Sequence, residues 1–494
     1  MATDPGRIDP GLRRLALRTL LPAFRGQVAP AWITELIGEG LVGCIIFGYN
    51  IVDRDQLTAL TGQLLDVRSD LLLSIDEEGG DVTRLAHAHG SPYPGNAALG
   101  AIDDVALTER IYRAIGLDLL ATGFNVNLAP TVDVNSADDN PVIGTRSFGS
   151  DPARVAAQSA AAVVGLQSVG VAACVKHFPG HGGTSTDSHL DLPTVDVGMD
   201  VLRERDLAPF AAAIKAGTQA VMTAHIRVPV LTGDLPATLS RAAMVDLLRR
   251  ELGFAGVVVT DALEMHAAAA VAGGTAAAAA RALAAGNDLL CLGSRVDADL
   301  VEATIREIVA GVQAGWLPLT RVEEAAERMS GLAAWAVAAR AAGPTEEGIG
   351  YLAAQRALRV EGSLVGLGTP LIVQILESDA EINIAVGPGV PWGLGPHLNG
   401  TEPLQVGYRN VSVEALRVAA GTRSIVVVGR NLHRLPGTAR LIEDLATTHP
   451  VVAVEMGWPS SWRPSGVRAF VTTYGASRAN GWAAAAALGL LPHA

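Results

Sequence analysis

The stretch 176–193 places several ionisable side chains within a few residues of one another. It holds Lys176, His177, Asp187 and His189 among glycine, serine, threonine and proline residues, which favour a loop. A carboxylate such as Asp187 can accept the imidazole N–H of His189, which fixes the tautomer and stabilises the imidazolium. Such a histidine donates and recovers a proton near neutral pH. The pair is therefore a candidate acid/base dyad, and the alternative is two solvated loop residues.

A metal site is a further alternative for this stretch, which also contains His181. The stretch has neither a helical HxxxH pair nor a cysteine-rich frame, the ligand patterns typical of protein-bound zinc. We therefore expect neither a metal nor a cofactor.

Asp261 is the second candidate, because it ends the strongly apolar run GVVVTDALEM. Burial of a bare carboxylate is costly, so Asp261 acts as a nucleophile, acts as a base, or forms half of a structural ion pair. Glu264 is expected to begin the following helix and to be solvated. His225, at the end of VMTAH, is interpreted as a structural histidine, and Asp133 in APTVDVN is left outside the catalytic set.

Five further polar residues end or follow apolar runs. An aspartate and an arginine close together suit a ligand rich in hydroxyl groups, because each can form paired hydrogen bonds. Internal salt bridges are the alternative. These candidate binding residues are Asp76, Arg84, Arg146, Lys176 and His177.

Eight apolar runs, alternating with segments of helical periodicity, must position these residues. Strands buried on both faces and separated by helices indicate a parallel sheet, and eight such units predict a (β/α)8 barrel. The candidate residues follow these strands, where barrel enzymes form their active sites. A doubly wound open sheet is the alternative. The runs are RTLLPAF, GLVGCIIFG, DLLLSIDEEGG, GFNVNLAPTVDVN, GVAACVKHFPGH, QAVMTAHIRVP, GVVVTDALEM and NDLLCLG.

A second α/β pattern follows the barrel. We predict a barrel over residues 1–340, a linker over 341–350 and a smaller three-layer α/β domain over 351–494, whose role the sequence does not indicate. Its predicted strands are LIVQILE, INIAVG, SIVVVGR, VVAVEMG and AFVTTYG.

Bulk composition limits the partners. The 494-residue chain has a formal net charge of −13, which disfavours nucleic acid as a partner. It has no apolar stretch of membrane-spanning length, and its start lacks a basic segment followed by an apolar one, so we expect a cytoplasmic protein without a membrane partner. Its three cysteines, Cys44, Cys174 and Cys291, lie in apolar runs and are predicted to be free and buried. Oligomeric state is not predicted.

Taken together, these segments resemble glycoside hydrolase family 3, in particular its branch of β-N-acetylglucosaminidases. The resemblance covers the whole predicted barrel in order, and the KHFPGHG…DSH loop is its most specific part. The second domain matches only in the general two-domain layout. The resembling stretches are IIFGYNI, SIDEEGGDVTRL, NVNLAPTVDVN, RSFGSDP, KHFPGHGGTSTDSHLDLP, VMTAHI with PATLS, and GVVVTDALEM.

The resemblance implies roles for these residues. Asp261 stands at the family's nucleophile position, His189 at the acid/base position and Asp187 at its supporting carboxylate. The residues that match positions binding the terminal N-acetylglucosamine unit are Asp76, Arg84, Arg146, Lys176 and His177. Two positions depart from the pattern: Gly183 stands where this branch has aspartate, and Asp81 where it has arginine. Both departures change the charge near the site and bear on the leaving-group side.

The function that the resemblance implies is that of a retaining exo-β-N-acetylglucosaminidase, which releases terminal GlcNAc from β-glycosides through a covalent glycosyl-enzyme. Because a neutral imidazole would admit an anionic acceptor, a phosphorylase that uses inorganic phosphate is the alternative. A non-catalytic sugar-binding protein is a third hypothesis, disfavoured because Asp261, Asp187 and His189 are all present. The natural substrate could be a muropeptide, a chitin fragment or another glycoside, and a role in peptidoglycan recycling is implied by the resemblance alone.

Overall fold

The computed structural model divides the chain into two compact units, each built from several segments. The first unit comprises Met1–Glu77, Thr108–Ala137 and Ser150–Thr345, and the second comprises Glu78–Leu107, Asp138–Gly149 and Glu346–Ala494. The second unit thus combines the C-terminal part of the chain with two earlier segments. The structure describes residues 8–184, 192–341, 343–378, 383, 385–387, 389–398 and 402–491.

Eight parallel strands form the centre of the first unit. Six strands lie side by side in sequence order, from Gly43–Ile46 to Val257–Thr260, and Leu290–Cys291 pairs with Leu20–Leu21. The ring closes because Val259 bridges Leu289 and because the Ile45 N–H donates to the Pro22 carbonyl oxygen. This arrangement confirms the predicted (β/α)8 barrel. The strands are β1 Leu20–Leu21, β2 Gly43–Ile46, β3 Leu72–Ile75, β4 Val126–Asn127, β5 Ala172–Phe178, β6 Ala220–Thr223, β7 Val257–Thr260 and β8 Leu290–Cys291.

A hydrophobic core fills much of the barrel interior. Every strand contributes to it, and the buried residues include Leu21, Ile45, Leu72, Val126, Cys174, Met222, Val259 and Cys291. Near-complete burial of each strand explains the continuous apolar runs in the sequence. The three cysteines are free and buried as predicted, and burial raises the pKa of each thiol. Such thiols act as packing groups.

Helices cover the strands of both units. In the described residues no single helix has the length and apolar character to cross a bilayer, although two helices bent by 88° between them, His266–Ala272 and Thr275–Ala285, satisfy that criterion as a pair. The helices are α1 Pro10–Leu17, α2 Ala31–Glu39, α3 Arg54–Val67, α4 Asn96–Ile102, α5 Val105–Ala121, α6 Pro152–Gln167, α7 Met199–Val201, α8 Ala208–Lys215, α9 Pro229–Thr232, α10 His266–Ala272, α11 Thr275–Ala285, α12 Ala298–Gln313, α13 Leu319–Ala339, α14 Ile349–Ala357, α15 Val413–Ala420, α16 Thr438–Ala446 and α17 Arg478–Ala487.

A buried ion cluster lies beside the start of β8. Asp288 is fully buried, and its carboxylate accepts hydrogen bonds from the guanidinium groups of Arg249, Arg321 and Arg328 and from the Val258 N–H. A buried carboxylate is tolerated when it is paired and hydrogen-bonded in this way. The cluster joins β7 and β8 to the helix α13.

The second unit contains a six-stranded sheet in the order β11-β10-β12-β13-β14-β9. All neighbours are parallel except β9, which pairs antiparallel with β14 at one edge. Separate hydrophobic clusters cover its two faces, so this unit is the predicted three-layer α/β fold. The strands are β9 Arg359–Gly362, β10 Leu371–Leu376, β11 Leu404–Gly407, β12 Ile425–Gly429, β13 Val451–Glu455 and β14 Ala469–Thr472.

One predicted strand of this unit differs from the structure. The described part of INIAVG, residues 383 and 385–387, contains no strand, and Ala385 and Val386 form a turn. The strand that follows Leu371–Leu376 in sequence is instead Leu404–Gly407, and the two strands pair in parallel. The apolar residues of INIAVG therefore do not form a strand in the described part of this segment.

Candidate active site

Asp261 follows β7 directly, at the carboxyl end of the barrel. Its N–H donates to the Thr223 carbonyl oxygen of β6 over 3.2 Å, and its Oδ1 accepts the Ala262 N–H over 2.7 Å. The side chain is intermediate in exposure rather than sealed in the core. The backbone is therefore fixed by the neighbouring strand, while the carboxylate lies at the barrel mouth.

His225 holds the turn that begins at Asp261. The imidazole is fully buried, with Nε2 3.0 Å from the Ala262 carbonyl oxygen and Nδ1 2.8 Å from the Thr238 hydroxyl. The Met265 N–H donates to the same carbonyl oxygen over 3.1 Å. His225 is thus satisfied on both ring nitrogens, in agreement with its interpretation as a structural histidine, and its partner is the residue after Asp261.

Asp76 and Lys176 form an ion pair in the same barrel. Lys176 Nζ lies 2.7 Å from Asp76 Oδ1, and the two side chains are 3% and 18% exposed. Burial raises the pKa of the Cys174 thiol in β5; Lys176 lowers it, and the carboxylates of Asp76 and Asp261 raise it. Asp76 follows β3, Lys176 lies near the end of β5 and Asp261 follows β7, so the three charged groups all lie at the carboxyl end of the barrel.

A second dyad lies beside this pair. His177 Nδ1 lies 2.7 Å from Asp133 Oδ2, and Asp133 also accepts the His181 N–H over 2.6 Å. Burial alone would raise the pKa of Asp133, but the imidazole of His177 and the other hydrogen bonds lower it overall. Asp133 is therefore a charged residue that orients His177, a role that its sequence position after β4 allows but does not indicate.

His181 lies in the loop that follows β5. It is buried, and its Nδ1 lies 2.7 Å from the Thr184 hydroxyl. Burial and the neighbouring imidazole of His177 lower the pKa of His181 to about 4. The side chain is therefore neutral near pH 7 and packs as a polar core residue.

Arg146 lies in the second unit, in a buried bidentate pair with Glu78. Arg146 Nε and Nη2 donate to Glu78 over 2.9 and 2.7 Å, and the two side chains are only 4% and 2% exposed. Arg146 Nη1 also donates to the Val142 carbonyl oxygen, which accepts a further bond from Asn383. The guanidinium is held in one orientation by these contacts.

Arg84 lies in the second unit as well. It donates to the carbonyl oxygens of Ala385 and Val386, at 2.7 Å from Nη2 and 3.4 Å from Nη1. Asp81, one of the two departures from the family pattern, accepts the Ala476 N–H and the Thr145 hydroxyl, each over 2.7 Å. Asp81 therefore connects three segments of the second unit.

The predicted site residues thus fall into groups. The structure pairs Asp76 with Lys176, places Asp261 at the same end of the barrel, joins His177 to Asp133, and places Arg84 and Arg146 in the second unit. Asp187 and His189 lie outside the described residues. Over the residues that are described, no three or more His, Cys, Asp or Glu side chains are grouped so as to hold a metal ion.

Glu264 does not begin the following helix, as the sequence predicts. The following helix begins at His266 rather than at Glu264, and the Glu264 carboxylate accepts the Ser294 N–H and hydroxyl over 2.6 and 2.7 Å. It also accepts the Arg295 N–H over 3.1 Å. Glu264 is therefore a loop anchor, and the sequence could not indicate this role because its partners lie about thirty residues away.

Comparison with known proteins defines the class. Residues 26–332 match the model of the Glycosyl hydrolase family 3 N terminal domain. The barrel with carboxylates at its mouth is accordingly that of a glycoside hydrolase. The chain belongs to glycosyl hydrolase family 3.

Two curated relatives and one solved structure are similar to this chain. β-Hexosaminidase A of Pseudoalteromonas piscicida is 40% identical over 259 residues, covering 48% of this chain and 43% of that protein. The chain therefore spans less than half of that relative's length. The β-hexosaminidase of Stenotrophomonas maltophilia (strain K279a) is 39% identical over 267 residues, 52% of this chain and 78% of that one. A family 3 β-N-acetylglucosaminidase from Paenibacillus sp. str. FPU-7 superposes with a TM-score of 0.85, at 31% identity and 97% coverage of both chains.

Proposed function

We propose that this chain is an exo-β-N-acetylglucosaminidase that releases terminal GlcNAc from β-glycosides. The observation that carries the proposal is the position of Asp261 directly after β7, at the same end of the barrel as the Asp76–Lys176 pair. The names of the relatives support the same activity, since the curated ones are β-hexosaminidases and the solved structure is a β-N-acetylglucosaminidase. Its substrate is then a small carbohydrate.

Asp261 is proposed to act as the nucleophile of a retaining mechanism. One carboxylate oxygen forms a bond to the anomeric carbon while the bond from that carbon to the leaving oxygen breaks. The fixed backbone of Asp261 and the Ala262 N–H on Oδ1 keep the carboxylate in place for this attack. A neutral imidazole as acid/base would add no second negative charge beside Asp261.

His189, held by Asp187, is proposed to supply the proton. It donates to the leaving oxygen in the first step and takes a proton from the attacking water in the second, which restores both Asp261 and His189. These roles rest on the sequence motif, because both residues lie outside the described part of the chain.

The nucleophile is tested by Asp261→Ala, with 4-nitrophenyl β-GlcNAc as the substrate. We expect turnover to fall to background with an unchanged unfolding transition. Asp234→Ala is the matched control, because Asp234 is fully exposed in the same unit and should leave turnover intact. Mass spectrometry of the quenched wild-type enzyme should show one added N-acetylhexosamine, and a variant without Asp261 should show none. An active Asp261→Ala variant would refute the assignment.

The acid is tested by His189→Ala on two substrates. A GlcNAc disaccharide has a poor leaving group and needs protonation, whereas 4-nitrophenolate leaves without it. We expect turnover of the disaccharide to fall much more than turnover of the aryl glycoside. Equal losses on both substrates would remove His189 from this role.

The acceptor is tested by assaying turnover with and without inorganic phosphate. We expect free GlcNAc as the product and no dependence on phosphate. Formation of GlcNAc 1-phosphate would instead identify a phosphorylase. Sugar binding without any turnover would identify a non-catalytic sugar-binding protein.

A further inference from the structure

One carboxylate, that of Asp81, joins the three segments that make up the second unit. Its Oδ2 accepts the hydroxyl of Thr145 and its Oδ1 accepts the N–H of Ala476, each over 2.7 Å. The three residues come one from each segment of this unit. Two early segments are therefore tied to the C-terminal part of the chain at this side chain. We call this contact the Asp81 joint, defined by Asp81, Thr145 and Ala476.

The first side of the joint is a tight turn that carries both Glu78 and Asp81. Gly79 and Gly80, between these carboxylates, have φ +72° and +63°, backbone angles that glycine adopts readily. Glu78 holds the guanidinium of Arg146, and Asp81 holds the hydroxyl of the residue before it. Two carboxylates of one turn thus fix two successive residues of another.

The other side of the joint is the loop between β14 and α17. Ser477 caps α17 by accepting the Asn480 N–H, and the Asn480 side chain donates to the Thr473 carbonyl oxygen over 2.8 Å. All three residues are buried. Ala476 lies within this hydrogen-bonded loop, so the direction of its N–H is fixed. The Asp81 carboxylate also lies at the N-terminal end of α17, where the helix dipole favours an anion.

We propose that Asp81 is a positioning residue for substrate binding, and that through it β14 and α17 hold Arg146 in the orientation that binds GlcNAc. Asp81 fixes Thr145, which precedes Arg146 in the same short turn, Gly144–Arg146. Asp81 itself does not have to touch the sugar. The C-terminal α/β part of the chain thereby takes part in substrate binding. This inference rests on the proposed function, because it presumes that Arg146 binds a terminal GlcNAc unit.

The joint also accounts for one departure from the family pattern. Asp81 stands where this branch has arginine. A guanidinium has donors and no acceptor, so an arginine could not accept the Ala476 N–H. The contact with the start of α17 therefore requires an acceptor such as the carboxylate that this chain has.

Loss of the joint should affect binding more than chemistry. Without it, the Gly144–Arg146 turn keeps its contact with Glu78 but gains freedom that substrate binding must remove. Ordering a loop on binding costs affinity. A contact that holds the sugar equally before and during the reaction changes KM and leaves kcat nearly constant.

The first test is Asp81→Ala in the full-length protein, with 4-nitrophenyl β-GlcNAc as the substrate. We expect KM to rise about five- to tenfold, the equivalent of a hydrogen bond worth about 1 to 1.4 kcal/mol, with kcat little changed. Asp81→Asn should restore most of the loss, because its amide oxygen accepts from Ala476 and its amide N–H donates to Thr145. An Asp81→Asn variant as impaired as Asp81→Ala would overturn the proposal, since charge rather than the contact would then matter.

A double-mutant cycle tests whether Asp81 acts through Thr145. Thr145→Val removes only the hydroxyl end of the joint, so it should also raise KM. The double variant Asp81→Ala with Thr145→Val should raise KM no more than Asp81→Ala alone, because both changes break the same contact. Effects that multiply would show that the two residues act independently and would refute the proposal. If Asp81→Ala does not fold, Thr145→Val against Thr145→Ser carries the test, and equal KM values for these two would refute it.

Asp104→Ala is the matched control in the same unit. Asp104 accepts the Leu107 N–H over 3.1 Å and the Arg356 Nη2 over 3.0 Å, so it too ties an early segment to the C-terminal part. Neither contact involves the Gly144–Arg146 turn. We expect KM to stay at the wild-type value. A rise in KM equal to that of Asp81→Ala would mean that general loosening of the unit is the cause, against a specific role for Asp81.

A separate measurement distinguishes failure of the joint from failure of the proposed function. If the wild-type protein does not turn over 4-nitrophenyl β-GlcNAc, the proposed function fails by itself. The joint is then tested by hydrogen–deuterium exchange of the full-length protein. Asp81→Ala should speed exchange across residues 142–149 and around Ala476, and Asp104→Ala should not. Unchanged protection of these segments in Asp81→Ala would overturn the joint.

Discussion

The imidazole of His225 donates from Nε2 to the main-chain carbonyl oxygen of Ala262 over 3.0 Å. A carbonyl oxygen only accepts, so Nε2 carries a proton, while Nδ1 lies 2.8 Å from the Thr238 hydroxyl, which also donates to the Ala224 carbonyl oxygen over 3.0 Å. This chain of contacts reaches from β6 to the residue after Asp261. It fixes the peptide that flanks the proposed nucleophile.

Thr238→Val should therefore lower kcat on 4-nitrophenyl β-GlcNAc by about five- to tenfold, because a hydrogen bond worth about 1 to 1.5 kcal/mol is lost. Valine has nearly the same shape but no hydroxyl, so Nδ1 of His225 loses its hydrogen-bond partner. KM should change little, and Thr238→Ser should restore kcat. A Thr238→Ser variant as slow as Thr238→Val would show that packing of the methyl group, rather than the hydroxyl, matters here.

The barrel was predictable because each strand is buried on both faces. A strand of that kind leaves a continuous apolar run, and all eight predicted runs contain an observed strand. The edge strands of the second unit gave no such pattern: Arg359–Gly362 is exposed throughout and Leu404–Gly407 nearly so. Residues exposed on both faces of an edge strand need no apolar alternation, so sequence periodicity could not identify these strands.

The site was predictable by residue type but not by pairing. Strand ends indicated Asp76, Lys176 and Asp261, yet the partner of Arg146, Glu78, lies 68 positions away. Asp133 is separated from His177 by 44 positions, and no local spacing reports that contact. Such pairs form only when the loops after different strands meet, which is a property of the tertiary fold.

Asp288→Asn should destabilise the first unit by about 3 kcal/mol or more in the free energy of unfolding. The substitution leaves Arg249, Arg321 and Arg328 around a neutral amide, and breaking a buried charge cluster from one side is costly. Denaturant unfolding measures the loss. Asp246→Asn is the control: it removes an exposed pair with Arg250 and should have little effect. If the two substitutions lowered the free energy of unfolding equally, burial of the Asp288 carboxylate would not explain the loss.

His181 should make stability depend on pH in a defined direction. Its pKa is lowered to about 4 in the folded protein, while an unfolded histidine titrates near about 6.5. Between these values the unfolded chain binds a proton that the folded protein does not, so stability falls as pH drops from about 6.5 to about 4. The stability advantage of the wild type over His181→Gln should therefore shrink over this window in denaturant titrations.

Asp206 makes stability depend on pH in the opposite direction. The comparison of the wild type with His181→Gln must therefore cancel the contribution of Asp206. Burial raises the pKa of Asp206 to about 6, so the folded protein retains a proton that the unfolded chain has lost. Its contribution to stability falls as pH rises from about 4 to about 6. Because Asp206 is present in both the wild type and His181→Gln, its effect cancels in their difference. A difference that stays constant from pH 7 to pH 4 would show that His181 does not titrate as inferred.

Glu78→Gln should destabilise the second unit, and it tests whether Arg146 contributes to substrate binding. The substitution leaves a guanidinium that is 4% exposed without its bidentate carboxylate, so the free energy of unfolding should fall by about 3 kcal/mol. If Arg146 binds the GlcNAc unit, KM for 4-nitrophenyl β-GlcNAc should also rise, with kcat affected less. Glu361→Gln, which removes the exposed pair with Arg463 in the same unit, is the control and should change neither quantity. Loss of stability with an unchanged KM would make Arg146 a structural residue, held by Glu78 to connect the loops of the second unit.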